Sequence, residues 1–472
     1  MFRFVLVLLA CAAFAAQPDE ATRRLSRDIL KQLIEINTTD SSGDNTAAAN
    51  AMAKRLTDAG FPAADVQVLA PPGRPKKGNM VARFRGPANG TRKPILFIGH
   101  LDVVEALRSD WTTDPFQLVE KDGFFYGRGT QDMKSQDAAL MTTFIRLKKE
   151  GYQPPRDLIL ALTSDEEGGT ANGVDWLLKN HRNLIDAEFV LNADSGGVNT
   201  EKGKPLDVEI AAAEKLYADF QLTVRNPGGH SSQPSPDNAI YHLTDALGRL
   251  EHSPFPFELN PVTRAYFEKL VGRDPKSEDI RAMLRTPPDM AAVARVSQDR
   301  HYNSLLHTTC VATRLNAGHA NNALPQTAQA IVNCRILPGH TPEEVRKDLV
   351  RIFADPKVEV RYVDSKTNEA VDTAPTQAGG PPATPRADVV KAVTSVADSL
   401  WPGAPVVVDM ETGASDSKYT NAAGIPSFGI GEIAVDHDDI RAHGKDERVR
   451  VSSFCECVEF MYRFVKAVAS GS

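Results

Sequence analysis

Three carboxylates stand in a row in Thr163-Ser164-Asp165-Glu166-Glu167-Gly168-Gly169, directly after the apolar run DLILAL. Like charges side by side repel, so a strand that ends on three acids needs positive charge to face. Taken alone, an acid run reads equally well as a solvated loop. The two glycines behind it favour a ligand slightly, because they let the backbone turn tightly. Other side chains of the right type stand elsewhere: His100 in GHLDVV, Asp132 in GRGTQDMK, Asp194 in NADSGG and His443 in AHGKDERV. Imidazole and carboxylate without thiolate suit zinc in a hydrolytic site, or manganese or cobalt. Each residue is weak evidence singly, since a lone histidine is more often structural or solvated. Their joint placement is what carries the reading.

That placement depends on the elements around them. Residues 19–36 and 44–60 read as amphipathic helices, the second closed by Gly60 and Pro62. NMVARFRG and PILFIGHLDVV read as strands, KSQDAALMTTFIRLKKEG as a helix, and DLILALTS and EFVLNAD as buried strands. Alternating strands and helices imply an α/β sheet, in which ligands collect beyond the carboxyl ends of the strands. ILFIG ends at His100, LILAL at the acid run and FVLNA at Asp194, so three strand ends carry metal-type ligands. From about residue 215 the pattern changes to an α+β insert. It runs through strand-like KLYADFQLTVR, LLHTTCVATRLNAG, TAQAIVNCRILPG and VEVRYVD, with a helix opened by Thr341 and Pro342. A Pro/Gly/Thr-rich linker, NEAVDTAPTQAGGPPATP, returns to α/β character. The last helix puts Phe454, Val458, Met461, Val465 and Val468 on one buried face. The expected division is a signal at 1–16, a catalytic domain at 17–214 and 378–472, and the insert at 215–377.

The 472 residues are 42% hydrophobic and 24% charged with net charge −7, a globular composition that argues against a general nucleic-acid binder. The start, MFRFVLVLLACAAFAAQPDE, reads as a secretory signal peptide with Ala13-Phe14-Ala15 as the cleavage site. Leu8-Leu9-Ala10-Cys11 is a poorer match, to a lipoprotein signal. No later segment holds the 18 or more apolar residues of a membrane span. These features imply a secreted or periplasmic protein, soluble or anchored at Cys11. Cys310 and Cys334 could pair if their strands are neighbours, whereas Cys455 and Cys457, two apart in a helix, are poorly placed to bridge each other.

Taken in order, HLDVV, YGRGTQDMK, SDEEGG, NADSGG, NPGGHSS, NALPQTAQAIVNCRILPG and HGKDE cover nearly the whole mature chain. This series resembles the co-catalytic dinuclear zinc exopeptidases and amidohydrolases, among them aminoacylases, glutamate-releasing carboxypeptidases, carnosinase-type dipeptidases and acyl-diamino-acid deacylases. The resemblance implies a mixed-sheet catalytic domain with an inserted α+β lid and dimerisation domain, and two divalent metal ions, zinc first with manganese or cobalt as alternatives. His100 and Asp194 would bind one metal, Glu167 and His443 the other, and Asp132 would bridge them. Asp102 would accept a hydrogen bond from His100 and fix its orientation. Glu166 would be the general base that takes a proton from the attacking water and returns it to the leaving amine. His443 is preferred to His437 because the family histidine stands four residues before a glutamate, here Glu447.

The same resemblance makes His230 an oxyanion donor, often supplied from a partner subunit, and gives Asn322 and Arg335 the substrate carboxylate, for which the forked guanidinium suits Arg335. Gly413 would lie in a substrate loop, with Ala414-Ser415-Asp416 where many relatives carry Gly-Thr-Asp. Ser415 and Lys418 fit S-x-x-K, but its companion motifs are missing and the match is read as chance. The implied activity is hydrolysis of an amide bond next to a free carboxylate, in a short peptide or an N-acyl amino acid, by a homodimer formed through the insert. Two rivals remain at this level: an aminopeptidase that reads a free amine, and a non-catalytic binding protein that kept the fold.

Overall fold

The computed structural model describes residues 17–471 apart from 366, 379–381, 383 and 437. The expected signal, Cys11 and His437 lie outside the described residues. The chain divides into two compact units, one of Met1–Ala211, Pro385–Val408 and Tyr419–Ser472, the other of Ala212–Thr384 and Asp409–Lys418.

The first unit is built on a mixed sheet. Ile95–His100 lies between Leu158–Thr163 and Phe189–Asn192, parallel to both. All residues of these three strands are buried, which is why they read as continuous apolar runs and not as alternating ones. Antiparallel strands Asn79–Phe84 and Val66–Leu69 extend one side, and Ser427–Gly429 continues the other, parallel to Phe189–Asn192. Register decides the function of this sheet. His100 is paired with Thr163 and Ile98 with Asn192, so the residues that follow the three strands emerge side by side.

Helices Glu20–Glu35, Lys134–Lys149 and Val451–Ser470 pack in sequence, the central one touching both others. The first is N-capped by Asp19, whose carboxylate accepts from Thr22 N at 2.8 Å. The five residues expected on the buried face of the last helix are all buried.

The second unit carries an antiparallel sheet in the order Thr309–Ala317, Thr327–Ile336, Leu216–Arg225, Glu359–Val363, Ala370–Val371. Alternate residues Phe220, Leu222, Val332 and Ile336 join Leu243 of helix Ala239–Glu251 and Leu349 of helix Pro342–Phe353 in its core. Thr341 and Glu344 form a capping box on the latter helix. Cys310 and Cys334 sit directly opposite each other on neighbouring strands and are joined by a disulfide. Four short helices between Pro261 and Leu306 complete the unit.

The second unit starts three residues earlier and ends seven later than the expected insert, and residues 409–418, expected in the catalytic part, group with it. Ser415 donates N–H and Oγ–H to Glu214 at 2.8 Å each, and Lys215 N donates to Glu411 O at 3.2 Å.

Candidate metal centre

His100 is the last residue of its strand, and the imidazole is almost wholly buried. Its Nδ1 lies 3.0 Å from the main-chain oxygen of Asp102. A carbonyl can only accept, so Nδ1 carries a proton and Nε2 is the nitrogen turned to the site. Nε2 faces carboxylate oxygens: Asp132 Oδ1 at 3.1 Å and Asp194 Oδ1 at 3.3 Å. Among the described residues neither His100 Nε2 nor Asp132 Oδ1 makes a well-aligned hydrogen bond, although both are buried and face each other. An imidazole nitrogen and several carboxylate oxygens converging in a buried place call for positive charge among them.

The rest of the donor set agrees. The two oxygens of Asp132 face different histidines, Oδ1 toward His100 and Oδ2 toward His443 Nε2 at 3.0 Å. Glu167 Oε1 is 2.9 Å from the same His443 nitrogen. Ligand atoms of His100, Asp132 and Glu167 lie within 4.8 Å of one another, as do those of His100, Glu166 and Asp194. Four carboxylates and two imidazoles thus converge, a set suited to divalent zinc, manganese or cobalt.

The electrostatics express the same need for positive charge. Burial opposes a charged His100, yet the carboxylates of Asp194, Asp132 and Asp102 raise its pKa well above 6.5. The contacts with Asp132 and Glu167 raise His443 to about 10. Burial, and then the charge of Asp132, push Glu167 up to about 7. Burial would raise Asp132 too, but hydrogen bonds from the two histidines hold it below the usual carboxylate range.

The acid run resolves into three separate duties. Asp165, given no role from sequence, is buried, has a positive φ of 59° and pairs with Lys77. It also accepts from Ala171 N at 3.1 Å, so it shapes the turn. Glu166 and Glu167 are then presented by that turn, and their backbone N–H groups donate to the Asp102 carboxylate at 3.2 and 2.9 Å. The expectation for Asp102 is corrected in this detail. Its main chain holds the imidazole, while its carboxylate, 3.8 Å from Nδ1, holds the glutamate turn.

Sequence reasoning missed several supports. Glu447 served only as a marker for His443, yet it is fully buried. It accepts from Arg128 Nη1 at 2.6 Å, Gln131 N at 2.7 Å, Gly129 N at 3.1 Å and Asp132 N at 3.1 Å. Gln131 Oε1 accepts from Arg441 N and Ala442 N at 2.7 and 2.9 Å, which ties down the loop before His443. Lys134 is buried and donates to Leu33 O and Ile36 O at 2.8 and 3.0 Å. Asp137 lies behind Gly99, where an added Cβ would collide with its Oδ1. The motif RGTQDMK contained the signal for Gln131 and Lys134; nothing short of register could have found Glu447's partners.

The remaining expected residues lie in the second unit. His230 and Asn322 are exposed and neighbours: Gly229–His230 pairs with Ala323–Leu324, and Ser231 N donates to Asn322 O at 3.1 Å. His230 Nδ1 accepts from Ser232 N at 3.1 Å, which leaves the proton on Nε2 as an outward N–H donor. Arg335 lies on a different strand, half-buried, with its guanidinium 4.8 Å from the centre of the Tyr217 ring. Gly413 lies in the turn before Ser415, and a Cβ there would meet nothing within 4 Å.

The chain is similar to known proteins over most of its length. The model of peptidase family M20/M25/M40 matches residues 96–467. The N-fatty-acyl-amino acid synthase/hydrolase of Bos taurus is 30% identical over 388 residues, 79% of this chain and 74% of that one. A probable carboxypeptidase S-like protein of Dictyostelium discoideum is 29% identical over 395 residues, 79% of this chain and 71% of that one. In structure, the M20 family metallo-carboxypeptidase of Sulfolobus solfataricus superposes with a TM-score of 0.70 at 18% identity, over 96% of this chain and 100% of that one. The chain belongs to peptidase family M20/M25/M40, a family of dinuclear metal-binding peptidases and amidohydrolases.

Proposed function

We propose that this M20 hydrolase is a secreted enzyme that cleaves an amide bond adjacent to a free carboxylate, in N-acyl amino acids or short peptides. The supporting observation is the buried Nε2 of His100 aimed at two carboxylates. His100 and Asp194 would hold one divalent ion, Glu167 and His443 a second, and Asp132, with an oxygen turned to each histidine, would serve both. Such ions polarise a scissile carbonyl and lower the pKa of an attacking water.

The chain's own groups account for the proton traffic. Glu166 takes a proton from water as oxygen attacks the carbonyl carbon. It delivers that proton to the amide nitrogen as the C–N bond breaks, leaving a carboxylic acid and an amine. His230 offers its Nε2–H to the oxygen that gains charge. Arg335 and Asn322 hold the substrate carboxylate, and Arg335 presents parallel N–H groups to it. A second copy of the chain could supply His230, in which case the active form is a homodimer.

Two sequence relatives support the substrate class, one an N-fatty-acyl-amino acid synthase/hydrolase and the other a probable carboxypeptidase S-like protein. Among the described residues no helix is long and apolar enough to cross a membrane. The test is metal content and turnover on one panel: N-acetyl amino acids, N-fatty-acyl amino acids, free dipeptides and dipeptide amides. The expected result is about two ions per chain and metal-dependent release of an amino acid from carboxylate-bearing substrates. Preference for dipeptide amides over free-carboxylate substrates would mean an aminopeptidase, and bound metal without turnover a binding protein.

A further inference from the structure

The uncovered face of the antiparallel sheet in the second unit holds a groove of about 460 Å³, lined in part by Tyr217, Asp219, Ile331, Asn333, Arg335 and Val363. Two cross-strand pairs make its charged end: Tyr217 opposite Arg335, and Asp219 opposite Asn333. Tyr217 OH donates to Asp219 Oδ2 at 2.6 Å, and Asn333 Nδ2 donates to Asp219 Oδ1 at 2.8 Å. Both oxygens of the groove's acid are therefore engaged, and among the described residues no carboxylate forms an ion pair with Arg335. Lys215 lies close by, but burial and then the charge of Arg335 pull it down to about 7, and its Nζ is already bonded to Ser304 O, His307 O and Thr309 Oγ1. The guanidinium of Arg335 is thus the groove's cation without an ion-paired carboxylate among the described residues.

The phenol is pinned at one end by Asp219 and the guanidinium lies over its ring, 4.8 Å from the centroid. A guanidinium held over an aromatic face by cation–π attraction still has N–H groups to offer a carboxylate. A long flexible side chain is thereby ordered before substrate arrives, which reduces the ordering cost of binding. Burial and the Asp219 carboxylate push the phenol up to about 12, so the ring stays neutral and its hydroxyl remains a donor.

We propose that Tyr217 is a positioning residue: a pinned aromatic platform that sets Arg335 for the substrate's carboxylate. The proposal rests on the reading of Arg335 given above and adds a residue that acts only through it.

The test compares KM and kcat for an N-acetyl amino acid and for its amide, using the full metal-loaded chain and variants Arg335→Ala, Tyr217→Ala, Tyr217→Leu, Tyr217→Phe and the double Tyr217→Ala/Arg335→Ala. Tyr217→Ala and Tyr217→Leu are each expected to raise KM for the acid about 3- to 10-fold, the range set by a partly desolvated cation–π contact, with kcat and the amide unchanged. Tyr217→Phe keeps the ring and should stay within about twofold. The double variant should be no worse than Arg335→Ala alone, because a platform without its arginine has nothing to hold. Equal effects on acid and amide, a loss confined to kcat, or additive losses in the double variant would overturn the proposal while leaving Arg335 in place. If Arg335→Ala itself leaves the acid-to-amide ratio unchanged, the carboxylate reading fails first and the platform falls with it.

Discussion

The candidate metal centre and the substrate-facing groups of the inserted unit are built in opposite ways. In the first, the polar groups that carry the ligands are fixed from behind by buried partners. Glu447 grips the turn that carries Asp132, Gln131 ties the loop that carries His443, and Asp102 holds both His100 and the glutamate turn. In the second, His230 stands exposed on a two-residue strand, beside an exposed Asn322. Only Arg335 has a rigid seat. The difference teaches where order is needed in advance. Ions require several donors at set distances at once, so the shell behind the ligands must be rigid. A group that answers charge as it develops on a substrate needs only one well-aimed donor.

The largest effect that separates the two regions is expected from Glu166→Gln. The substitution keeps size and removes the proton acceptor. Turnover should fall about 10²- to 10⁴-fold while metal content, measured by elemental analysis, stays at the wild-type value. Wild-type turnover would remove Glu166 from proton transfer.

His230→Ala should come next, lowering kcat about 10²- to 10³-fold as the loss of one oxyanion donor does. Because the side chain is exposed and contacts Ser232 alone in the hydrogen-bond network described, the melting temperature should hardly move. A large fall in melting temperature with little change in kcat would make His230 a structural loop residue, and the contrast between the regions would dissolve.

Glu447→Gln tests the opposite property. Its carboxylate accepts from a buried Arg128 and three backbone N–H groups, none of which touches substrate. Metal affinity, read by competition with a chelator, should weaken about 10- to 100-fold, with kcat at saturating metal much less affected. If affinity is unchanged, rigidity behind Asp132 is not what the centre depends on.

How much of this was legible in the sequence follows from the range of each signal. The helices 20–35 and 45–58, with caps Asp19 and Asp44, and the buried parallel strands were legible because their signals are local. The candidate ligands at strand ends could be picked out for the same reason: each follows an apolar run by at most a few residues. The Glu447 grip spans 315 positions to Asp132, and no local pattern reports such a pairing. Tyr217 and Arg335 needed the sheet register to be seen as partners. The small sheet of Val119–Lys121, Phe124–Tyr126 and Arg448–Arg450 was missed as well. Its strands are three residues long, and Arg448 lies 4.1 Å over the Phe124 ring, so side-chain stacking across strands marks it more than β-propensity. The place of residues 409–418 in the insert depends on Glu214 accepting from Ser415, a contact 201 positions apart.

The smallest expected effect falls on Gly413, where family likeness and local geometry give different reasons for a glycine. Its φ is not in the left-handed region, and an added Cβ would meet nothing within 4 Å. Neither backbone strain nor crowding within the chain therefore requires it, unlike Gly99, where Asp137 fills the space. Gly413→Ala should leave stability within about 0.5 kcal/mol of wild type, measured by denaturant unfolding. If this turn approaches substrate, the added methyl should raise KM for bulky acyl groups more than for acetyl, with metal content constant. If KM is unchanged across acyl sizes, Gly413 is not part of the substrate site, and the groups that read substrate on the inserted unit reduce to His230, Asn322 and the Tyr217–Arg335 pair.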